Sequence, residues 1–291
     1  MAEPTAIPRP ADTPADTVVG AGSSVAASRG ESAGRAWTDP GLTPRLEGTR
    51  FREVRWFAEI DSTNRYLLDE AISGAPDGLV AVADVQTAGR GRLGRRWEAP
   101  PGASLLVSVL LRPSLPSSRL HLATVAAGVA AARAVLRLAA IPAGLKWPND
   151  LVVHDRKLAG VLAETLPGPA LVVGMGLNVH WESFPPELVE TATACNLESE
   201  TAITRPDLLV AWLRELDGQL CSLTEDAGAA LRDAYLALSA TVGRRVRVEL
   251  AERFFEAVAT DIDADGHLIV LRDDGTTETI AAGDVATLRI S

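Results

Sequence analysis

The chain has 291 residues, 47% of them apolar, and a formal net charge of −10. That length supports one large domain with a small second one, and the acidity argues against a general nucleic-acid or membrane-surface binder. No apolar run is expected to reach the roughly 18–20 residues of a membrane span. The N-terminus lacks a secretory pattern, and the two cysteines, Cys195 and Cys221, have no metal-ligand spacing, so a reduced, cytoplasmic setting is expected.

Residues 1–48 hold six of the 18 prolines and show no periodicity, which predicts a disordered, low-complexity tail too irregular for a helix-turn-helix. Order is expected near Phe51, with Val54–Phe57 as a strand. Asp61, Ser62, Thr63 and Asn64 then offer N-caps for a helix carrying Tyr66, Leu67, Leu68, Ala71 and Ile72. Leu79–Val85 and Ser104–Leu111 read as buried strands. Arg119–Ala140, rich in Ala and Leu, reads as a long helix packed on most sides. Leu145–Thr165 reads as two strands about a His154-Asp155-Arg156 turn, and Leu171–Val179 as a further strand containing Gly174 and Gly176. Pro206–Leu220 and Ala227–Ser239 are helical by period. From Val242 the pattern becomes short alternating strands, with a hairpin turn at Asp273-Asp274-Gly275. The fold class is therefore α+β, a mixed-sheet domain over 49–240 followed by a small β-barrel over 241–291.

The densest basic cluster is Gly89-Arg90-Gly91-Arg92-Leu93-Gly94-Arg95-Arg96-Trp97. It contains G-x-G-x-x-G, but Pro100 and Pro101 forbid the helix that a dinucleotide fingerprint requires. Three glycines permit close backbone approach, and four arginines interleave with them. Such a loop can wrap an anion, moving when empty and ordering around a phosphate. Elsewhere the chain uses arginine almost exclusively: only Lys146 and Lys157 are lysine, in Lys146-Trp147-Pro148-Asn149-Asp150-Leu151 and Arg156-Lys157-Leu158-Ala159-Gly160. An ammonium is a compact point charge with three rotatable donors, suited to a narrow phosphoryl or carboxylate oxygen.

These blocks, with Ser62-Thr63-Asn64, Gln86 and Gly174-Met175-Gly176-Leu177-Asn178, resemble the signature of biotin–protein ligases over about residues 50–291, in the monofunctional class without a DNA-binding domain. The resemblance implies a catalytic domain of the class II aminoacyl-tRNA synthetase/biotin ligase type and an SH3-like C-terminal barrel. It also implies an ATP-dependent ligase that makes biotinyl-5'-AMP from biotin and Mg·ATP. The biotin then passes to a lysine of a biotin carboxyl carrier domain of acyl-CoA or pyruvate carboxylases. Carried over, Ser62, Thr63, Asn64, Gln86, Arg90, Gly91, Arg92 and Lys146 would bind biotin. Gly89, Arg90, Arg92, Gly94, Arg95, Trp97, Asn149, Gly174, Gly176 and Asn178 would bind ATP or the adenylate. Lys146 and Arg92 would be catalytic, with Asp150 and Lys157 in support and Mg²⁺ brought by ATP. Leu93 departs from a position often polar in the family.

Asp261-Ile262-Asp263-Ala264-Asp265-Gly266 imitates the start of a calcium loop, but Arg272 stands where a Glu is needed, so a hairpin turn is expected. His121, His154, His180 and His267 are dispersed, and no zinc site is expected. A lipoate or octanoate ligase shares the architecture, though the arginine loop opposes it. A biotin-responsive transcriptional regulator is opposed by the net acidity.

Overall fold

The computed structural model describes residues 36–37, 41–166, 168, 170–226, 228–250, 253–281 and 283–287. Residues 32–291 form one compact unit. In chain order the elements are α1 (Leu42–Arg45), β1 (Glu53–Ile60), α2 (Thr63–Ile72), β2 (Leu79–Gln86), β3 (Ser104–Leu111), α3 (Leu122–Ala139), β4 (Gly144–Lys146), β5 (Asp150–Val153), β6 (Arg156–Thr165) and β7 (Leu171–Asn178). There follow α4 (Cys195–Glu198), α5 (Arg205–Glu225), α6 (Ala229–Leu238), β8 (Arg245–Glu249), β9 (Phe254–Ile262), β10 (Leu268–Leu271), β11 (Thr277–Ile280) and β12 (Asp284–Thr287).

Strands β1–β7 make one mixed sheet in the order β1-β2-β3-β7-β6-β5-β4, parallel only between β1 and β2. Because successive strand residues face opposite sides, β3 divides its apolar run. Leu105, Val107, Val109 and Leu111 join the core beneath α3 and α5, and Leu106 and Leu110 join the core beneath α2. A strand buried on both faces reads as a continuous apolar run. The alanines of α3 let that helix sit close to the sheet, and Trp212 Nε1 of α5 donates to Ala127 O at 3.1 Å to lock the two helices together.

Strands β8–β12 form a second, antiparallel sheet in the order β11-β10-β9-β8-β12, the SH3-like unit expected. Its inward residues Val246, Val248, Ala257, Ala259, Leu268 and Val270 are buried in the same continuous core as α3 and α5. The Asp261–Gly266 segment is a hairpin turn, with the Asp263 carboxylate accepting from the amides of Asp265 and His267 at 2.9 Å each.

Three expectations change. The supposed tail ends earlier than residue 48: α1 and its C-cap bury Leu42 and Leu46, and Trp37 pairs with Trp56 of β1, while residues 1–35 and 38–40 lie outside the described residues. The Leu145–Thr165 stretch holds three strands, because Lys146 and Asp150 pair across a tight turn that precedes the His154-Asp155 turn. The segment Ser117–Ala139 is long and apolar enough to cross a membrane, but 67% of its most apolar stretch is buried within the protein, and that burial accounts for its composition.

Cys195 is buried and Cys221 exposed. Burial, with a contribution from Glu198, pushes the Cys195 thiol up to about 12, so it offers no thiolate at neutral pH. Iodoacetamide is expected to label the native protein once, at Cys221, and twice after denaturation. Mass spectrometry of the intact and digested protein checks this, and rapid native labelling of Cys195 would contradict it.

Candidate functional site

The site lies on the α2 side of the sheet, where β3, β6 and β7 carry small or polar residues in place of apolar ones. Ser108 pairs with Gly174, Gly174 with Leu162, and Gly176 with Gly160. Missing side chains leave a trough. Asn64 fills part of it from α2: a Cβ on Gly174 would lie 2.1 Å from Asn64 Oδ1. Trp97 fills another part from the arginine loop, with a Cβ on Gly176 reaching 2.4 Å from Trp97 Cε2.

Helix α2 starts at this trough because Ser62 caps it, its hydroxyl accepting from Arg65 N at 3.4 Å. The next two residues enter a buried chain of hydrogen bonds. Thr63 donates from its amide to Gln86 Oε1 at 2.8 Å and from its hydroxyl to Ser108 Oγ at 2.7 Å. Ser108 donates to Asn64 Oδ1 at 2.6 Å, and Asn64 Nδ2 donates to Glu164 Oε2 at 2.8 Å. Glu164 ends the chain in an ion pair with Arg90 at 3.0 Å. With its carbonyl engaged by Thr63, Gln86 keeps its amide N–H groups as donors.

Gly89–Trp97 folds as a small antiparallel hairpin. Arg90 bridges Arg96, Gly91 N donates to Arg95 O at 2.7 Å, and Trp97 N donates to Gly89 O at 3.1 Å. Leu93 stands at its tip with φ 56° and 75% exposure, pointing into solvent. Arg92 reaches inward instead, donating to Asn149 Oδ1 and to Gly283 O, both at 3.2 Å. Trp97 lies against the glycines of β6 and β7, with its Nε1 buried and without a hydrogen-bond partner among the described residues. Lys157 Nζ sits 5.5 Å from its ring centroid and 2.7 Å from Asp150 Oδ1.

Together these groups line a cavity of about 350 Å³. It gathers Ser62, Thr63, Asn64, Gln86, Arg90, Gly91, Arg92, Arg95, Trp97, Lys146, Asn149, Asp150, Lys157, Gly174 and Gly176. Six cationic side chains (Arg90, Arg92, Arg95, Arg96, Lys146 and Lys157) face two carboxylates, Asp150 and Glu249, in an otherwise acidic protein. A concave site lined by one sign of charge concentrates its field and attracts anions. Among the described residues no carboxylate pairs with the Lys146 ammonium. Behind Asp150, burial and the Asp150 charge both push the Tyr235 phenol up, keeping it neutral.

Three expected ligand contacts fall away from the cavity. Asn178 is buried, its Oδ1 accepting from Ser104 and Trp181 at 3.0 and 3.1 Å and its Nδ2 donating to Thr193 O at 3.0 Å. Its amide is consumed inside the fold. Gly89 serves the hairpin, since a Cβ there would lie 2.4 Å from Trp97 O, and Gly94 supplies a turn at φ 73° with open space around it. Sequence reasoning missed Ser108, Glu164 and Gly160. Two serines in the apolar run of β3 were a signal for Ser108. Glu249 and Val285 come from the second sheet, and nothing local marked them.

Residues 56–179 match the model of the Biotin/lipoate A/B protein ligase family, and residues 241–287 match that of the Biotin protein ligase C terminal domain. The chain is 40% identical over 248 residues to a biotin--[acetyl-CoA-carboxylase] ligase of Mycobacterium tuberculosis, covering 83% of this chain and 91% of that protein. It is 32% identical to the bifunctional ligase/repressor BirA of Escherichia coli over 78% of this chain and 71% of that one. A biotin protein ligase from Aquifex aeolicus, solved in complex with biotin and ATP, superposes with a TM-score of 0.74 at 28% identity, covering 82% of this chain and all of that one. A ligase from Leishmania major in complex with biotinyl-5-AMP gives a TM-score of 0.57 at 25% identity, over 79% of this chain and 99% of that one.

Proposed function

The chain belongs to the biotin protein ligase family, and on that premise we propose that it activates biotin with ATP and transfers it to a lysine of a biotin carboxyl carrier domain. In the first step a biotin carboxylate oxygen attacks the α-phosphorus, forming the acyl–O–P bond while the Pα–O–Pβ bond breaks and pyrophosphate leaves. In the second the neutral amine of the acceptor lysine attacks the acyl carbon, AMP leaves, and the amine loses a proton. The observation that carries this reading is the union, in one cavity, of a buried amide-and-hydroxyl chain with an arginine hairpin and two ammonium groups. The first is suited to a small neutral ring system and the second to a carboxylate beside a phosphate.

The amide N–H groups of Gln86 fit the ureido group of biotin. The glycine-lined trough fits its ring system, with the Trp97 indole N–H as a further donor. Arg90 and Arg92 face the acyl phosphate, and Lys146 supplies charge where the non-bridging oxygens become more negative. Mg²⁺ arrives with the nucleotide. No group of three or more His, Cys, Asp or Glu side chains able to hold a metal occurs among the described residues. Mg²⁺ is ordinarily held by substrate phosphates and water with one or two protein oxygens, which Asp150 and Asn149 would supply.

The test is incubation with biotin, Mg·ATP and an acceptor carrier domain, with lipoate as competitor. Biotinylation of the acceptor is expected. Its absence where a known ligase works, or preferential transfer of lipoate, overturns the reading. Arg92→Ala adds a second check. Arg92 spans from the hairpin to Asn149 and Gly283, so its loss should untether the lid and let the adenylate escape. Nonspecific biotin labelling of bystander proteins is expected to rise about tenfold or more over the wild type; unchanged labelling would show that the hairpin does not act as a lid.

A further inference from the structure

The ligase reading leaves Trp147 without a role, although it lines the cavity with Lys146, Pro148 and Asn149. It is 4% exposed, and packing alone would explain that. Its hydrogen bonds say more. The backbone N–H of Trp147 donates to Thr241 Oγ1 at 2.9 Å, and its indole Nε1 donates to Gly266 O at 3.1 Å. Both acceptors belong to the C-terminal part of the chain, one just ahead of β8 and the other at the tip of the β9–β10 hairpin.

The turn needs such support. Lys146 ends β4, a three-residue strand at the edge of the large sheet. On its outer side the strand is held only as far as Leu145, which bridges Ser239 and accepts from Ala240 N at 2.8 Å, so its last residue, Lys146, has few bonds to stop it from fraying. On the far side of the turn Asn149 is fixed, donating from Nδ2 to Val161 O at 2.7 Å while its own carbonyl accepts from Val161 N at 2.9 Å. On the Lys146 side, Trp147 provides the corresponding anchor. The anchor point is itself rigid. Gly266 lies at φ 77°, and a Cβ there would come within 3.2 Å of Leu122 Cδ2 and 3.4 Å of Val125 Cγ2. The hairpin tip is thus seated against α3.

Resting on the ligase reading, we propose that Trp147 is a positioning residue for adenylate formation: its indole N–H, held by the Gly266 carbonyl, fixes the turn from which Lys146 enters the cavity. The second sheet thereby sets the aim of an ammonium on the first. The groups proposed for the ring end of biotin, on α2, β2 and β3, lie outside this arrangement.

The test uses the full chain with Trp147→Phe, which keeps an aromatic ring and removes the N–H, and Thr241→Val, which removes the other acceptor. Pyrophosphate release with biotin and Mg·ATP gives kcat, calorimetry gives the biotin Kd, and melting gives stability. A misaimed group costs about 10- to 100-fold in rate, so kcat is expected to fall in that range in both variants, with the biotin Kd within about twofold of wild type. Thr241→Ser should restore the rate. Val270→Ala, in the core of the same sheet but away from the turn, should lower the melting temperature and leave kcat within about twofold. If Trp147→Phe does not fold, Thr241→Val carries the test. Wild-type kcat in the tether variants, an equal loss in Val270→Ala, or a parallel rise in biotin Kd would overturn the proposal. A wild-type chain that releases no pyrophosphate would overturn the ligase reading as well, whereas wild-type release with unchanged variants overturns the positioning role alone.

Discussion

Lys146→Gln is expected to slow biotinyl-adenylate formation by about 10²- to 10³-fold, the usual effect of removing one donor aimed at developing charge, while leaving the biotin Kd within about an order of magnitude. Two ammonium groups line the cavity, and their surroundings differ. Lys157 Nζ lies 2.7 Å from Asp150 Oδ1 and against the Trp97 ring. Its charge is partly balanced in the resting protein, and it would have to leave a carboxylate before serving a phosphate. Lys146 has no carboxylate partner among the described residues. Its ammonium is therefore not tied up in an ion pair, and it need not leave a carboxylate before the α-phosphate gains charge. Charge alone is not the requirement. Lys146→Arg should also slow adenylation, because the planar guanidinium is bulkier and spreads its charge over a fork. Single-turnover measurement of the adenylate separates this from slow product release. If either variant forms adenylate at the wild-type rate, Lys146 is not the group that stabilises the transition state and Lys157 becomes the stronger candidate.

The two lysines were conspicuous in the sequence because arginine fills nearly every other cationic position. The arginine hairpin was legible for a similar local reason: its glycines and arginines lie within nine consecutive residues, and two following prolines excluded the helix of a dinucleotide site. The strand periods placed most elements of the large sheet. What escaped was non-local. Glu164 closes the hydrogen-bond chain from Asn64 to Arg90, yet those residues are 100 and 74 positions away from it, and nothing about a glutamate near a strand end announces that partnership. Asn178 misled because Gly174-Met175-Gly176-Leu177-Asn178 is one compact motif, but although Asn178 shares the face of Gly174 and Gly176 it lies at the far end of β7, beyond the cavity, against Ser104 and Trp181. The same period-2 rule places Ser104 and Ser108 on one face, so a single strand carries the polar floor of the site and a buried structural bond. The small C-terminal sheet was legible as a separate pattern of short strands, but its contribution of Glu249 and Val285 to the cavity depends on docking that no local pattern encodes.

Gly174→Ala is expected to weaken biotin binding by about 30- to 700-fold, and the reason lies in Asn64. The added Cβ would fall 2.1 Å from Asn64 Oδ1, so the side chain must move. A free amide end would swing aside at little cost. Asn64 is instead 5% exposed and held by Ser108 at 2.6 Å and Glu164 at 2.8 Å. Displacing it breaks a neutral and a charge-assisted bond in a buried setting, at about 2–4 kcal/mol together, which is the fold-change stated. The loss should propagate to both ends of the chain, freeing Thr63 and Gln86 from their present orientation and loosening Arg90 from Glu164. Global stability should fall by a comparable amount, since the same bonds are lost from the free protein, but the fold should survive because α2 keeps its apolar contacts through Leu67 and Ala71. A double-mutant cycle separates this from a general intolerance of alanine in β7. In Asn64→Ala the clashing oxygen is gone, so adding Gly174→Ala should cost almost nothing further, and the two changes should be strongly non-additive. Additive losses in biotin affinity, measured by calorimetry, would mean that Gly174 meets the ligand directly and does not act through Asn64.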